Sequence, residues 1–318
     1  MSLPTQGSVR GLALQDGKIL VATGGALWRL RANGAPDRSF GERGRMDLPA
    51  GYSVIGTHPL TATRSRAYVL LGTNDEPRPL LFVFFADGRF NGSSTPVYLD
   101  GPDLQAIALH EGFVYAVGVQ PDDASAPNSF PTRVMVVRFG TSPRVLFDEN
   151  YNGGTGRSLG PAIVYDKYGV VTSYEPRDIA IDSATGRIYV VGEKYDCSQD
   201  DCSSYTYGFA TRLKVSGGVD TTFGTGGETV AVCSNVDGAY AVALSGAKTV
   251  AGGTSNDKWG DNKDRFSLSA VSGFQSFRSQ ACYPSSNMTL GAKIEDLAFN
   301  GDKVIAVGGR YTAKYRTT

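Results

Sequence analysis

Apolar and polar positions alternate along this chain in short runs, and the runs come in pairs. Gly11-Leu12-Ala13-Leu14-Gln15 leads into Asp16-Gly17, and Lys18-Ile19-Leu20-Val21-Ala22 follows before Gly24-Gly25. Short apolar runs on both sides of an Asp-Gly turn predict a β-hairpin. The same phrase, an apolar run around an alanine, a turn, and a second apolar run ending in Gly, returns at residues 60–72, 106–118, 179–192, 241–253 and 296–309. A third alternating run comes after several copies, as at 27–30, 81–85, 134–139 and 209–213, and after some of these a polar turn leads to a fourth, such as 228–232. Four antiparallel strands per unit, recurring at intervals of tens of residues, predict a single all-β domain over residues 1–318.

The predicted architecture is a β-propeller of six blades, with five or seven as alternatives, at approximately 9–50, 58–100, 104–150, 176–232, 238–282 and 294–318. One such sheet cannot bury both faces alone, so neighbours must stack. The sixth unit provides only three strands before the chain stops. Either residues 1–8 complete it, or it stays at three strands, or another chain provides the fourth.

Composition supports this class. Gly at 40, Tyr at 16 and Phe at 15 against four Met suit short strands and tight turns. Lys plus Arg equals Asp plus Glu at 31 each, so no overall field draws the chain to nucleic acid. No apolar stretch has the length of a membrane span, and residues 1–6 lack the features of a signal peptide. The cysteines point to an oxidising compartment. Cys197 and Cys202 bracket a short polar loop that a disulfide can close; free thiols or a metal site are the weaker readings, since neither His58 nor His110 lies nearby in sequence. Cys233 and Cys282 follow the outer strands of consecutive units, and they form a second pair only if an irregular connection brings them within reach. On this reading the chain is secreted, periplasmic or on the cell surface, and its signal peptide has been removed.

The polar turns carry a more specific wording. Leu30-Arg31-Ala32-Asn33-Gly34-Ala35-Pro36-Asp37-Arg38-Ser39-Phe40-Gly41 and Gly218-Val219-Asp220-Thr221-Thr222-Phe223-Gly224-Thr225-Gly226-Gly227 resemble the delta-60 repeat of bacterial surface and secreted proteins, with a partial match at 86–92. The resemblance implies a propeller-like fold in an exported bacterial protein and brings no catalytic signature. Within the motif, Phe40, Phe90 and Phe223 are expected to plug the space between neighbouring sheets. Asp37 and Asp220 are expected to cap the turn to the outer strand rather than to bind metal.

Function is therefore sought where the copies differ. Four insertions stand out, at 120–132, 148–176, 194–207 and 255–265. In the last, Trp259 among Asp257, Asp261 and Asn262 suits stacking on a sugar ring, or Ca²⁺ held by hard oxygens, although the order is not that of an EF-hand; a solvated turn is the plainer reading. Tyr195 and Tyr205 flank the cysteine loop as further ligand-binding candidates. Arg10, Pro59, Gln105, Arg177, Tyr240 and Glu295 fall at equivalent places at the starts of the inner strands, with Asp178 and Asp296 one step further on, and such residues either ring a channel mouth or pair between blades.

Catalytic arrangements are scarce. There is no Gly-x-Ser-x-Gly elbow and no His-Glu-x-x-His, and the chain has two histidines. The leading reading is a non-catalytic binding or assembly module that meets a protein or glycan through its loop face, without a cofactor. The alternatives are a Ca²⁺-assisted, lactonase-like hydrolase at the channel mouth, and a lectin using Trp259 and the tyrosine-rich loops.

Overall fold

The computed structural model describes residues 8–73, 79–93, 103–121, 132–141, 146–161, 171–197, 206–230, 236–256, 264–272, 294–301, 303–308 and 311–316. They form six sheets. The first runs β1 (Val9–Gln15), β2 (Lys18–Thr23), β3 (Ala26–Leu30), β4 (Arg45–Asp47) in spatial as in chain order. The second contains β5 (Tyr52–Val54), β6 (Leu60–Ala62), β7 (Arg66–Thr73), β8 (Leu80–Phe85) and β9 (Phe90–Ser93), with β5 and β6 both paired to β7. The third contains β10 (Asp103–His110), β11 (Phe113–Pro121), β12 (Thr132–Gly140), β13 (Leu146–Phe147) and β14 (Arg157–Leu159). The fourth is β15 (Val171–Ile181), β16 (Ile188–Cys197), β17 (Thr206–Leu213) and β18 (Glu228–Val230). The fifth is β19 (Val236–Ser245), β20 (Lys248–Asn256) and β21 (Asp264–Ser272), and the sixth β22 (Asp296–Asn300), β23 (Lys303–Gly308) and β24 (Tyr311–Arg316).

Six complete blades were expected, and the structure corrects that number to four. Only the first four sheets reach four strands; the fifth and sixth have three among the described residues. Residues 1–7, expected to help close the last blade, lie outside the described residues. The chain divides into two compact units, Met1–Gly118 with Val136–Arg157, and Val119–Met135 with Ser158–Thr318.

Each hairpin forms for the reason its sequence suggests. Asp16 and Gly17 adopt φ of 52° and 73°, the left-handed pair whose twist matches the flanking strands. In the first unit, alternate residues Leu20, Ala22, Leu27, Val69, Leu71, Phe82 and Phe84 meet between the first two sheets around the fully buried Phe40. In the second unit, one face of the fifth sheet (Ala239, Val242, Ala251) packs on Tyr189, Val191 and Phe223 of the fourth, and the other (Ala241, Ala243, Val250, Leu268) on Leu297, Val304 and Ala306 of the sixth. Small residues such as Ala241, Ala243 and Ala251 on these faces allow the sheets to pack closely. Phe223 is buried like Phe40, but Phe90 is 52% exposed. It lies on the outer strand β9 against Phe82 and Phe84, so it covers ring surface there instead of plugging between sheets.

In the third, fourth and fifth copies the Gly that ends the phrase has a steric cause. A Cβ on Gly192 would stand 2.2 Å from the Glu175 carbonyl oxygen, one on Gly118 2.2 Å from that of Asp103, and one on Gly253 1.8 Å from that of Gly238. In β15 and β19 the first strand is bulged close to this point, with the register shifting between Pro176 and Asp178 and between Ala239 and Ala241; β1 shifts likewise between Val9 and Gly11. A bulge inserts one extra residue and re-aims its side chain. The extra residues are Arg10, Arg177 and Tyr240.

Candidate functional site

In the second unit, two bulged residues and their neighbours build a connected polar cluster. Arg177 Nε and Nη2 donate to Glu193 Oε2 at 2.9 and 2.6 Å, and Nη1 lies 2.8 Å from Glu175 Oε1. Tyr195 donates to Glu175 Oε2 at 2.8 Å, and Tyr240, from the next sheet, donates to Glu193 Oε1 at 2.8 Å. Gly238 leaves the room for this approach: a Cβ there would lie 2.7 Å from Glu193 Cγ and 2.9 Å from the Tyr240 ring. Side-chain exposure rises from 9% at Glu193 to 22% at Arg177 and 36% at Glu175, so the cluster opens to solvent on the Glu175 side.

Its electrostatics follow from burial and charge. Burial and then the charge of Glu193 push the phenols of Tyr195 and Tyr240 above the ordinary tyrosine range. Burial opposes the charge of Arg177, but Glu193 and Glu175 outweigh it and raise the guanidinium further. For a phenol whose native pKa is raised, the contribution to stability is complete below the unfolded value of about 10 and declines as pH rises from there toward the native value. Ultraviolet titration at the phenolate band should therefore show a late-titrating class of tyrosines, and Glu193→Gln should bring Tyr240 back toward the ordinary range. Unchanged titration in that variant would contradict the cluster.

Of the residues expected at inner-strand starts, Arg177 joins this cluster and Asp178 stands beside it. Asp178 Oδ1 accepts from Ile179 N–H at 2.8 Å and Oδ2 from Val242 N–H at 2.8 Å, which ties the fourth sheet to the fifth. Pairing between blades is thus real for Asp178, whereas Arg177 pairs within its own sheet. Asp296 repeats the local half of that arrangement, accepting from Leu297 N–H at 2.7 Å, and Glu295 precedes it, exposed. In the first unit, Arg10 is the exposed bulge residue of β1. Gln105 donates to Asp103 at 2.7 Å, while its carbonyl accepts from Thr57 and His58 N–H. Trp259, Asp257, Asp261, Asn262, Tyr205, Cys202, Cys233 and Cys282 lie outside the described residues, as does the side chain of Cys197. Glu175 and Glu193 were not singled out in the sequence; the position of Glu193, directly after the phrase-ending Gly192, was the available signal.

A second arrangement explains the turn wording. Asp37 caps its turn as expected, accepting from Ser39 N–H and Oγ, and it also receives Arg29 Nε at 2.8 Å and Lys18 Nζ at 2.8 Å. The Arg29 guanidinium lies 4.9 Å from the Phe40 ring centroid and also donates to Gln15, Ser39 and the Ala86 carbonyl of the next sheet. Arg212, Asp220, Thr222 and Phe223 repeat this clasp at 2.8, 3.0 and 4.8 Å. Arg138, Asp148, Asn150 and Tyr151 form a third copy that reaches from β12 into what reads in sequence as an insertion at 148–176. The arginine eight to ten residues ahead of the aspartate was the missed signal.

No family model matches the sequence, and no curated protein matches it. Among solved structures, the chain superposes on the β-propeller domain of the Trilobed protease from Pyrococcus furiosus with a TM-score of 0.50 at 7% identity, covering 96% of this chain and 81% of that one. The fold is a β-propeller. Looser matches are the Pyrococcus horikoshii acylaminoacyl peptidase (TM-score 0.48, 8% identity, 98% of this propeller and 46% of that chain) and domains 1–2 of Drosophila Semaphorin 1b (0.47, 11%, 97% and 73%). At these identities the likeness speaks to the propeller fold alone.

Proposed function

We propose that this propeller is a binding or assembly module of an exported bacterial protein, and that it recognises a protein partner through side chains that its repeats do not share. The observation that carries the reading is the polar cluster on the fourth and fifth sheets. Its carboxylates, guanidinium and phenols hold one another in fixed positions, and the shifts at Arg177, Tyr195 and Tyr240 all lead away from neutral pH. A general acid or base works best with a pKa near the operating pH. A rigid constellation that opens to solvent at Glu175 is instead suited to recognition.

The test is calorimetric titration of the chain with a partner recovered by cross-linking in the source cell, repeated with Glu175→Gln and Tyr195→Phe. Saturable binding weakened by either variant supports the reading; binding to neither a protein nor a glycan, or turnover of the recovered molecule, refutes it.

Export rests on the cysteine usage and on the delta-60 wording, which the clasp accounts for physically in the first and fourth sheets. If the chain works in an oxidising compartment, material from its native source should show no reactive thiol among its four cysteines when denatured without reductant. Four reactive thiols would place it in a reducing one.

A further inference from the structure

The clasp loops of the first and fourth sheets share a skeleton but differ in what they display. Phe40-Gly41-Glu42-Arg43-Gly44-Arg45 aligns with Phe223-Gly224-Thr225-Gly226-Gly227-Glu228, and each loop is closed by the same bonds. Gly44 N–H donates to the Phe40 carbonyl at 2.8 Å and Gly227 N–H to that of Phe223 at 2.9 Å; Glu42 and Thr225 N–H reach the Arg45 and Glu228 carbonyls at 2.6 and 2.7 Å. Position 226 is a glycine at φ 66°, and its counterpart Arg43 adopts φ 56°, a left-handed conformation that disfavours a side chain. The loop does not require arginine there, because glycine serves in the other copy. Arg38 likewise replaces Thr221.

Arg31, Arg38 and Arg43 are all exposed. They share a short segment folded on itself by Arg31 N–H to the Ala35 carbonyl at 2.8 Å and Arg29 N–H to the Gly44 carbonyl at 2.9 Å. Among the described residues none of the three has an ion pair, whereas Asp37 is taken by Arg29 and Lys18, and Asp47 by Arg45. Glu42 is the one acidic side chain of the loop without such a partner, so the loop presents a local positive excess on a chain of zero net charge.

We infer that this loop is a docking surface for a carboxylate-rich segment of a protein partner. Arginine presents a planar fork that pairs bidentately with carboxylates as with phosphates, and all three positions are arginine. The aromatic rings of this segment, Trp28 and Phe40, are buried with Arg45 and Arg29 over their faces, so neither offers a stacking platform for nucleic-acid bases or sugars. Backbone strain retained on a tight turn is characteristic of positions kept for what the side chain does. The inference rests on the binding-module reading but concerns a different surface from the Glu175 cluster.

The test uses the full chain and a fluorescent twelve-residue Asp/Glu-rich peptide, followed by anisotropy at low and high salt, with heparin and duplex DNA as competitors. Binding should be saturable, weaken roughly tenfold from about 50 to 300 mM salt, and resist competition by heparin and DNA. Arg43→Asn should relieve the strained turn and raise the melting temperature by about 2 °C, while lowering peptide affinity about fivefold. Arg38→Gln should weaken binding by a similar factor with the melting temperature unchanged. Glu175→Gln should leave peptide binding intact, which separates failure at this surface from failure at the cluster. No binding by the native chain, full affinity in Arg43→Asn, or preference for heparin or DNA would each overturn the inference.

Discussion

Asp37→Ala is expected to lower the stability of the folded chain by about 4 kcal/mol, because it strands a guanidinium that is buried against Phe40. The Arg29 side chain is 5% exposed, and its remaining acceptors, Gln15, the Ser39 hydroxyl and the Ala86 carbonyl, carry no charge. Breaking a buried pair by removing one partner costs far more than the pair contributes at the surface. The Arg89–Asp87 pair has nearly the same N–O distance, 2.6 Å, but its side chains are 78% and 46% exposed, so Asp87→Ala should change stability far less than Asp37→Ala does. Chemical denaturation measures both, and equal effects would contradict the clasp as the source of stability. The pH dependence has a definite sign. Burial raises the Asp37 carboxyl, but bonds from Lys18 and Ser39 and the charge of Arg29 outweigh it and hold the group well below its ordinary value of 3.8. A depressed native pKa stabilises above the unfolded value, so this contribution is complete above about pH 5 and declines as pH falls through and below 4. In Asp37→Ala that part of the acid sensitivity should be missing.

Gly192→Ala is the second large effect, expected at about 3 kcal/mol or more. The added carbon would meet the Glu175 carbonyl at 2.2 Å, Pro176 Cα at 2.7 Å and the Phe209 ring at 2.8 Å, and two of these are backbone that cannot turn aside. Gly25→Ala meets nothing within 4 Å and serves as the control, with an effect within about 0.5 kcal/mol. Since Glu175 and Arg177 flank the displaced backbone, Gly192→Ala should also disturb the tyrosine titration described above. Thermal denaturation of the two variants decides the matter, and a tolerated alanine at 192 would mean that the bulge is not rigid.

Much of this scaffold was legible in the sequence because strands announce themselves locally. Alternation, an Asp-Gly turn and a recurring phrase specify hairpins within a dozen residues, and the inner hairpins lie where the phrase recurs. What the phrase does not specify is how many strands accompany each hairpin, since outer strands such as β4 and β18 are three residues long and carry little periodicity. Nothing in the phrase therefore distinguishes the fifth and sixth units, with three strands among the described residues, from the units that have four. The third clasp was hidden because its spacing from Arg138 to Asp148 is two residues longer than that from Arg29 to Asp37, and its aromatic is Tyr151 where the others have Phe. The candidate site was legible only in part. Arg177 and Tyr240 fell at equivalent places in the phrase, but their convergence on Glu193 depends on bulges, and a bulge adds one residue without leaving a compositional mark. Phe90 departs from the expectation because its segment matches the motif only in part and its strand lies at the edge of a sheet.

The division of labour between shared and unshared positions is open to one direct measurement, hydrogen–deuterium exchange of the chain with and without the partner recovered from its source. Bound partner should slow exchange around Glu175, Arg177 and Tyr195 and in the loop from Arg31 to Arg45, while the amides of the clasp strands β3 and β17 exchange equally slowly in both states. Protection that appears in those strands and not in the loops, or no difference at all, would contradict that division of labour.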